Sequence, residues 1–373
     1  MIGQKGVPAL HGGVERHVEE LGARLVGLGD DVTVFTRPNY TDPELDEYRG
    51  MRLVSLPTTG TKHFDAIVHS VLASFAVWRG GFDIVHYQAI GPCLASPIAK
   101  LRGRRVVATV HAQDWRQAKW GLAASAFLRL GEWMALHVPD TTICVSESLT
   151  GRYAAQGAQH VVCIPNGVTI DPGDDVGVLA ELGLASGHYL LFAGRLIPDK
   201  GLHHLIAAHA SSGTDLPLVV AGGSSGTDDY VKLVRSQAGE GVVFAGYRYG
   251  AALAALFRNC ALFVLPSDLE GMPIVLLEAL AYGAPVLASD IAPNQEILGQ
   301  NGRFFAAGDV DSLRTALIDG LADTAELKRK AVAAMSRVAE QYSWDSVAEA
   351  TDALYREVMH VRVTRAADPD RVD

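Results

Sequence analysis

Short apolar runs that alternate with longer amphipathic stretches most constrain the fold of this chain. The runs are rich in Val, Ile and Thr and lack polar alternation, which is typical of parallel strands buried on both faces. In the first half the predicted strands are Asp31–Thr36, Asp83–Tyr87, Arg105–His111 and Thr142–Val145. The predicted helices between them are Val14–Leu28, His63–Trp78 and Leu122–Leu136. This order indicates a parallel sheet covered by helices.

The alternation starts again after Pro165–Gly187, a stretch rich in Pro, Gly and Asp that predicts a linker. The second set of predicted strands is Tyr189–Ala193, Leu216–Ala221, Val242–Ala245, Ala261–Leu265 and Pro285–Ala288. A length of 373 residues suits two domains or one large one. We therefore predict two doubly wound, Rossmann-like α/β domains, residues 1–168 and 169–342, facing each other across a ligand-binding cleft.

Two expectations concern the ends of the chain. Met1–Gly3 resembles the end of a strand, and strands usually have about 5–6 residues, so we expect a natural start roughly three to five residues upstream; the alternative is a short first strand. A last helix is predicted over Ser343–Val361, with Ser343 as its N-cap. Residues 362–373 are polar and are expected to form a disordered tail.

The composition excludes several classes of protein. With 49% hydrophobic and 20% charged residues, the chain is globular rather than disordered or fibrous. Its four cysteines form no CxxC pair, which argues against a disulfide scaffold or a cysteine zinc site and fits a reducing cytosol. No apolar run reaches the ~20 residues that span a bilayer, and no export signal is evident. We expect a cytoplasmic protein.

The charge is divided unevenly between the two halves. Residues 1–168 carry a net charge of +1 and residues 169–373 a net charge of −11. The acidic half argues against nucleic acid as a partner, because phosphate binding needs clustered cations. In the other half Arg102, Arg104 and Arg105 suit peripheral contact with an anionic membrane; the alternative is a solvated loop.

Two loops of the first half follow predicted strands and carry candidate site residues. The loop that ends in Gly12 and Gly13 precedes a helix, so its backbone N–H groups suit a phosphate, although neither GxGxxG nor GxxxxGK[ST] occurs. The alternative is a plain turn. The second loop, His111–Gly121, combines His111 and Asp114 with two cations and two Trp, a set that suits a sugar, whereas a structural histidine is the alternative.

Two loops of the second half, each after a predicted strand, carry charged residues. Arg195 and Lys200 follow the strand Tyr189–Ala193 and suit a diphosphate, Arg as a planar fork and Lys as a point charge. The alternative is a pair of surface cations. In Glu270–Glu278 (EGMPIVLLE), Pro273 suits the first helical position, and the N–H groups of Met272 and Ile274 would face an anion.

Glu278 falls within an apolar helix face, where a carboxylate is costly unless hydrogen-bonded. This favours a ligand-facing role, the alternative being an ion pair within the protein. Two Asp-x-Asp matches, Asp309–Asp311 and Asp368–Asp370, lie at a helix start and in the tail, away from any donor site. We therefore predict no metal site.

These residues resemble the family-4 retaining glycosyltransferases of the GT-B fold over nearly the whole chain. The resemblance rests on GGVERHVEEL, the His111 loop, PNGV at Pro165–Val168, GRLIPDKG and the two glutamates of EGMPIVLLEALAYGAPVLAS. The loop HAQDWRQAKWG is similar to that of a rhamnosyltransferase-like bacterial subgroup. In this family the final helix crosses back onto the first domain, which suits Ser343–Val361.

The resemblance implies a role for each matching residue. Arg195 and Lys200 would bind the donor diphosphate, which Gly12 and Gly13 would approach, and His111 would contact the donor sugar. Glu270 would hold the sugar hydroxyls and Glu278 the nucleotide ribose. The remaining residues implied to line the donor site are Asp114, Gly222, Gly223, Tyr247, Arg248, Gly271, Met272, Pro273 and Ile274.

We therefore predict transfer of a sugar, with retention, from a nucleoside-diphosphate sugar to a glycan or lipid-linked hydroxyl, with no cofactor and no metal. The cations and the helix N-termini would stabilise the leaving diphosphate. No carboxylate is an obvious covalent nucleophile, which favours front-face attack assisted by the leaving phosphate. The alternatives are a sugar-nucleotide epimerase or hydrolase and a non-catalytic sugar-nucleotide sensor. The presence of both His111 and Glu270 disfavours the sensor, because binding alone does not require both.

Overall fold

A computed structural model describes residues 1–10, 12–59, 65–117, 121–173, 175–224 and 227–366, with side chains as far as residue 360. The chain divides into two compact units. Unit 1 comprises Met1–Arg116, Trp120–Gly167 and Trp344–Asp373, and unit 2 comprises Gln117–Lys119 and Val168–Ser343.

Unit 1 is built mainly on parallel strands, whose buried residues are apolar except for Thr36, His86, Gln88, Thr109 and Thr142. The strands are β1 (Thr33–Thr36), β2 (Glu47–Tyr48), β3 (Met51–Ser55), β4 (Ile84–Gln88), β5 (Arg105–Val110), β6 (Thr141–Cys144) and β7 (Val161–Cys163). β1 and β3 are parallel, β2 is antiparallel to β3, and β4 to β7 pair in sequence order. Ile2 bridges Tyr87 of β4, while Met1 accepts a hydrogen bond from Phe35 of β1, so residues 1–2 lie between the two sets of strands.

The helices of unit 1 follow the strands in alternation. They are α1 (Gly13–Gly27), α2 (Asp65–Ala76), α3 (Ser96–Leu101), α4 (Leu122–His137) and α5 (Glu147–Ala155). The connections through α2, α3 and α4 all run in the same direction along the strand order, so right-handed crossovers place these three helices on one face of the strands.

Unit 2 contains one six-stranded parallel sheet. Its strands are β8 (Leu190–Ala193), β9 (Leu218–Ala221), β10 (Val242–Gly246), β11 (Leu262–Leu265), β12 (Val286–Ser289) and β13 (Arg303–Phe305). Their order is β10-β9-β8-β11-β12-β13, and the direction of chain progress reverses between β8 and β11. In doubly wound sheets, ligands bind outside the carboxyl ends of the strands at such a reversal.

Eight helices of unit 2 are described, and one further helix follows. They are α6 (Gly177–Glu181), α7 (Leu202–Ser212), α8 (Asp228–Gln237), α9 (Gly250–Asn259), α10 (Ile274–Ala281), α11 (Ala292–Leu298), α12 (Val310–Ala322), α13 (Thr324–Gln341) and then α14 (Trp344–Ala366). α14 belongs to unit 1, where it packs against α1. The predicted class of two doubly wound, Rossmann-like α/β domains is confirmed.

Several local predictions differ from the structure. The predicted linker contains α6, which packs on α9, because Val178 and Leu179 are buried there. Helix α14 continues to Ala366, five residues past its predicted end, whereas residues 367–373 lie outside the described residues. Residues 63 and 64 of the predicted helix His63–Trp78 also lie outside them. Pro273 is the N-cap of α10 in an extended conformation, not its first helical residue.

Candidate active site

The loops after β8 and β11 lie at the reversal point of the unit 2 sheet, and the structure brings Lys200 and Glu270 together there. Lys200 Nζ forms an ion pair with Glu270 Oε1. Ser267 Oγ donates a hydrogen bond of 2.7 Å to the same carboxylate oxygen. Only 15% of the lysine side chain and 8% of the glutamate side chain are exposed. Removing either partner of an ion pair this buried would leave the other charge uncompensated in the interior. Each charge therefore depends on the other.

Arg195 lies two residues after the end of β8 and is half-buried. Within the described residues its guanidinium makes no hydrogen bond or ion pair. Burial raises the pKa of Tyr247, and the positive charge of Arg195 opposes that rise, which places Arg195 near the phenol. Tyr247 Oη donates to the carbonyl oxygens of Gly223 and Ser224, each at 3.0 Å. Arg195 is therefore a cation at the reversal point whose guanidinium donates to none of the described residues.

Arg248, predicted to border the nucleotide, is engaged within unit 2. Its guanidinium forms a two-pronged ion pair with Glu181 of α6, with nitrogen–oxygen distances of 2.6 and 3.0 Å. Its Nε donates to the carbonyl oxygen of Ala245 at 3.0 Å. These contacts hold α6 to the loop after β10, and they give Arg248 a structural role that the sequence did not suggest.

Gly222 and Gly223 are required for close packing at the carboxyl end of β9. A Cβ on Gly222 would lie 1.8 Å from the carbonyl oxygen of Gly194, which is backbone and cannot move aside. A Cβ on Gly223 would lie 2.6 Å from the ring of Tyr247. The structure therefore explains both glycines by protein packing, while their predicted contact with the nucleotide stays a prediction.

The segment from Gly271 to Glu278 leads from this loop into α10. Gly271, Met272 and Pro273 are buried, Ile274 is half-buried and starts the helix, and Glu278 one turn later is half-buried. The carboxylate of Glu278 helps to raise the pKa of Tyr282, after the larger effect of burial. The predicted arrangement holds in that Glu270 precedes the helix and Glu278 lies within it.

In unit 1, His111 follows β5 and meets the end of β4. Its Nε2 lies 2.9 Å from Oε1 of Gln88, the last residue of β4, which is fully buried. Because β4 and β5 are parallel neighbours, their carboxyl ends bring the two side chains to one edge of the sheet. Asp114, also predicted, lies in a short turn, Asp114–Arg116, and is half-buried.

His111 is the outermost of three neighbouring histidines. The ring of His17, on α1, meets it edge to face with centroids 4.7 Å apart. His86 is hydrogen-bonded through Nδ1 to Tyr355 Oη at 2.6 Å and through Nε2 to Thr109 Oγ1 at 2.7 Å. Burial lowers the pKa of His111 far below its usual value, and His17 and His86 lower it further. All three imidazoles are therefore neutral near pH 7.

His17 and Asn166 form a contact that the sequence did not predict. His17 Nδ1 lies 3.0 Å from Asn166 Oδ1, and burial lowers the pKa of His17 to about 4. The ring of Trp344, the first residue of α14, also meets the His17 ring edge to face, with centroids 5.5 Å apart. The only available signal was that His17 lies four residues after Gly13 in GGVERH and that Asn166 belongs to PNGV. Nothing in either pattern states that the two side chains meet.

Gly12 and Gly13 begin α1, but a carboxylate stands beside them. Gly12 has φ 106° and is the N-cap, while Gly13 is exposed. A Cβ on Gly12 would lie 2.1 Å from Glu15 Oε2, and Glu15 Oε1 accepts from the Lys5 backbone N–H at 3.1 Å. An anion would therefore approach Gly13 rather than Gly12, because Glu15 already faces Gly12.

The described residues contain neither a metal-binding cluster nor a membrane-spanning helix. No three His, Cys, Asp or Glu side chains among them converge to hold a metal ion. No helix in the described ranges is both long and apolar enough to cross a membrane.

Solved structures with the same architecture identify the fold. Sucrose-phosphate synthase from Thermosynechococcus elongatus superposes with a TM-score of 0.78 at 23% identity, over 94% of each chain. HepE of Anabaena, in a complex with UDP-glucose, superposes with a TM-score of 0.77 at 19% identity, over 93% of this chain and 96% of that one. The fold is that of the GT-B glycosyltransferases, as predicted.

Sequence relatives then give the family. The Glycosyltransferase Family 4 model matches residues 11–172, and the model for glycosyl transferases group 1 matches residues 183–342. A phosphatidyl-myo-inositol mannosyltransferase of Mycobacterium leprae is 30% identical over 93% of each chain. A glycogen synthase of Mycobacterium tuberculosis is 29% identical over 95% of this chain and 93% of that protein. This chain belongs to the family-4 glycosyltransferases.

Proposed function

We propose that the chain transfers a hexosyl or deoxyhexosyl group from a nucleoside-diphosphate sugar to a hydroxyl of a glycan or lipid-linked acceptor. We further propose that the reaction retains the anomeric configuration and needs no metal. The observation that carries this proposal is that the loops after β8 and β11, which hold Arg195 and the Lys200–Glu270 ion pair, lie at the reversal point of unit 2. A diphosphate bound there gains negative charge as it leaves, and two cations stabilise that charge.

Each residue has a distinct part in the proposed reaction. Arg195 and Lys200 bind the diphosphate, Glu270 positions Lys200 and accepts hydrogen bonds from donor hydroxyls, and neutral His111 contacts the donor sugar. The bond from the anomeric carbon to the diphosphate breaks, and the acceptor oxygen bonds to that carbon on the same face. The acceptor proton passes to a diphosphate oxygen, so the products are the glycoside and the nucleoside diphosphate.

Labelled UDP-, GDP-, ADP- and dTDP-sugars, each with and without glycan and lipid acceptors, test this proposal. We expect a glycoside only when the acceptor is present, together with release of the nucleoside diphosphate. An altered or hydrolysed sugar without acceptor would indicate the epimerase or hydrolase instead. Binding without any turnover over the whole panel would indicate a sensor. Nuclear magnetic resonance of the product decides retention or inversion from the anomeric coupling constant.

A further inference from the structure

Helix α4 exposes large apolar side chains to solvent. The exposed fractions are 93% for Leu122, 39% for Phe127, 48% for Leu130 and 52% for Trp133. At 3.6 residues per turn these four positions fall within about 140° of the helix circumference. A surface helix normally turns its apolar side inward and its polar side outward.

The opposite side of α4 explains how this inverted pattern is accommodated. The buried residues of the helix are Gly131 and Ala135, both small. A Cβ on Gly131 would lie 2.5 Å from the carbonyl oxygen of Ile90, so the helix packs with its backbone close to the loop after β4. The core therefore has no room for the Leu, Phe and Trp side chains, which stay on the surface.

The neighbouring helices extend this apolar surface. At the end of α2, the exposed fractions are 38% for Leu72, 47% for Phe75 and 39% for Trp78, and the rings of Phe75 and Trp78 lie 5.2 Å apart. Leu101, which ends α3, is 85% exposed. α2 and α4 both pack against the short turn Pro92–Ala95, on the same face of the strands. We name this surface the outer face of α2–α4.

Cations, but few carboxylates, surround the outer face. Of the described residues between 65 and 140, the exposed arginines are Arg79, Arg102, Arg116 and Arg129, whereas the exposed carboxylates comprise Asp83 alone. Arg102 lies over the ring of Trp78, 5.9 Å from its centroid. The half-buried Glu132 on α4 accepts a hydrogen bond from Tyr153 Oη at 2.7 Å.

Only one of the three arginines predicted to contact a membrane lies on this surface. Arg104 donates to the carbonyl oxygens of Gly80 and Phe82, each at 2.7 Å, and Arg105 pairs with Asp140 at 2.7 Å. Both are therefore engaged within unit 1, and their predicted membrane contact stays a prediction. Arg102 is exposed. The cationic character of the outer face comes instead from Arg129 on α4 and from the exposed arginines that follow α2, α3 and β5, namely Arg79, Arg102 and Arg116.

We propose that the outer face of α2–α4 docks unit 1 on an anionic lipid bilayer. Tryptophan, phenylalanine and leucine enter the boundary between headgroups and acyl chains, and arginines attract anionic headgroups. A second copy of the chain fits this surface less well. A two-fold interface would bring together two copies of a surface on which exposed arginines outnumber exposed carboxylates. The proposal does not depend on the sugar donor or the acceptor.

Flotation with vesicles tests the proposal on the full chain. We expect binding to phosphatidylcholine vesicles that contain phosphatidylglycerol, little binding to phosphatidylcholine alone, and release by salt. Leu130→Glu should weaken binding about tenfold or more, since it removes a buried apolar side chain from the bilayer. Arg129→Gln should weaken it about fivefold. The matched control is Leu233→Glu on α8, because Leu233 is 47% exposed and Leu130 is 48% exposed.

The controls separate the outcomes. Both glutamate variants should keep the wild-type circular dichroism spectrum and melting temperature, since both positions are exposed. Absence of wild-type binding to anionic vesicles, or equal binding by Leu130→Glu and Leu233→Glu, would overturn the proposal. It would also fail if light scattering without lipid showed a dimer that Leu130→Glu dissociates, because the face would then join two copies of the chain.

Discussion

His111 Nε2 lies 2.9 Å from Gln88 Oε1, and with the amide oxygen turned toward the ring this contact sets which nitrogen of the imidazole carries the proton. An amide oxygen can only accept, so Nε2 carries the hydrogen and Nδ1 keeps its lone pair. Burial also keeps the pKa of His111 far below its usual value. His111 is therefore a neutral group that can accept a hydrogen bond from a sugar hydroxyl through Nδ1.

We predict that Gln88→Leu lowers turnover about tenfold, because the buried Nε2–H of His111 loses its acceptor and the ring loses its fixed tautomer. Affinity for the free nucleoside diphosphate should change little. Gln88→Glu should keep the tautomer but raise the pKa of His111, since a carboxylate stabilises the imidazolium. Turnover against pH measures both effects. Wild-type turnover in Gln88→Leu would show that Gln88 does not support turnover by fixing the tautomer of His111.

The Lys200–Glu270 ion pair distinguishes Lys200 from Arg195, although the sequence assigned the same role to both cations. Arg195→Ala and Lys200→Ala should each lower turnover by ~10²–10³, because each removes one proposed contact to the leaving diphosphate. Lys200→Ala should also lower the melting temperature, since it strands the buried carboxylate of Glu270. Arg195→Ala should not, because no described hydrogen bond of Arg195 is lost.

The double variant provides the check on this pair. If both cations act on one diphosphate, Arg195→Ala with Lys200→Ala should cost less in turnover than the product of the two single losses. Single-turnover rates and donor affinity should be measured for all three proteins. Near-wild-type turnover in either single variant would show that the donor lies elsewhere.

Glu270 and Glu278 should respond differently to removal of their charge. Glu270→Gln should mainly lower turnover, because the carboxylate positions Lys200 and faces the donor sugar in the proposal. Glu278→Gln should mainly weaken nucleotide binding, because its proposed partners are ribose hydroxyls. Calorimetric titration with UDP and GDP, beside turnover, separates the two effects. Equal losses of nucleotide affinity would contradict this division of roles.

Chelation should leave turnover largely unchanged. The proposed reaction stabilises the leaving diphosphate with Arg195 and Lys200, and the two Asp-x-Asp matches lie away from them in the sequence. Turnover after dialysis against EDTA should be compared with turnover after adding Mn²⁺ or Mg²⁺. Loss of activity in EDTA, restored by either ion, would contradict the metal-independent mechanism.

The sequence predicted the framework well because apolar runs and glycine-containing loops are local signals. The strands ending before His111, Arg195 and Glu270 lie close to their predicted bounds, and parallel order then brings their ends to one edge within each sheet. Contacts between distant segments were not predictable in this way. His17 with Asn166 depends on tertiary packing 149 residues apart in sequence. Arg248 with Glu181 similarly required α6, which the Pro- and Gly-rich composition concealed.

His17 should make the free energy of unfolding depend on pH. Burial lowers the pKa of His17 to about 4 from an unfolded value of 6.5. Between these values the unfolded chain binds a proton that the folded chain does not, so stability falls as pH falls from 6.5 to 4 and is full above 6.5. The contribution of His17 to the free energy of unfolding approaches ~1.4 kcal/mol per pH unit within that window.

Urea unfolding at several pH values should give a correspondingly smaller slope of unfolding free energy against pH for His17→Gln, while the exposed His188→Gln should match wild type. His86 and His111 remain in all three proteins, but the charge of His17 also lowers their pKa values, so their contribution to the slope should fall in His17→Gln as well. An unchanged slope in His17→Gln would mean that His17 is not buried as a neutral imidazole.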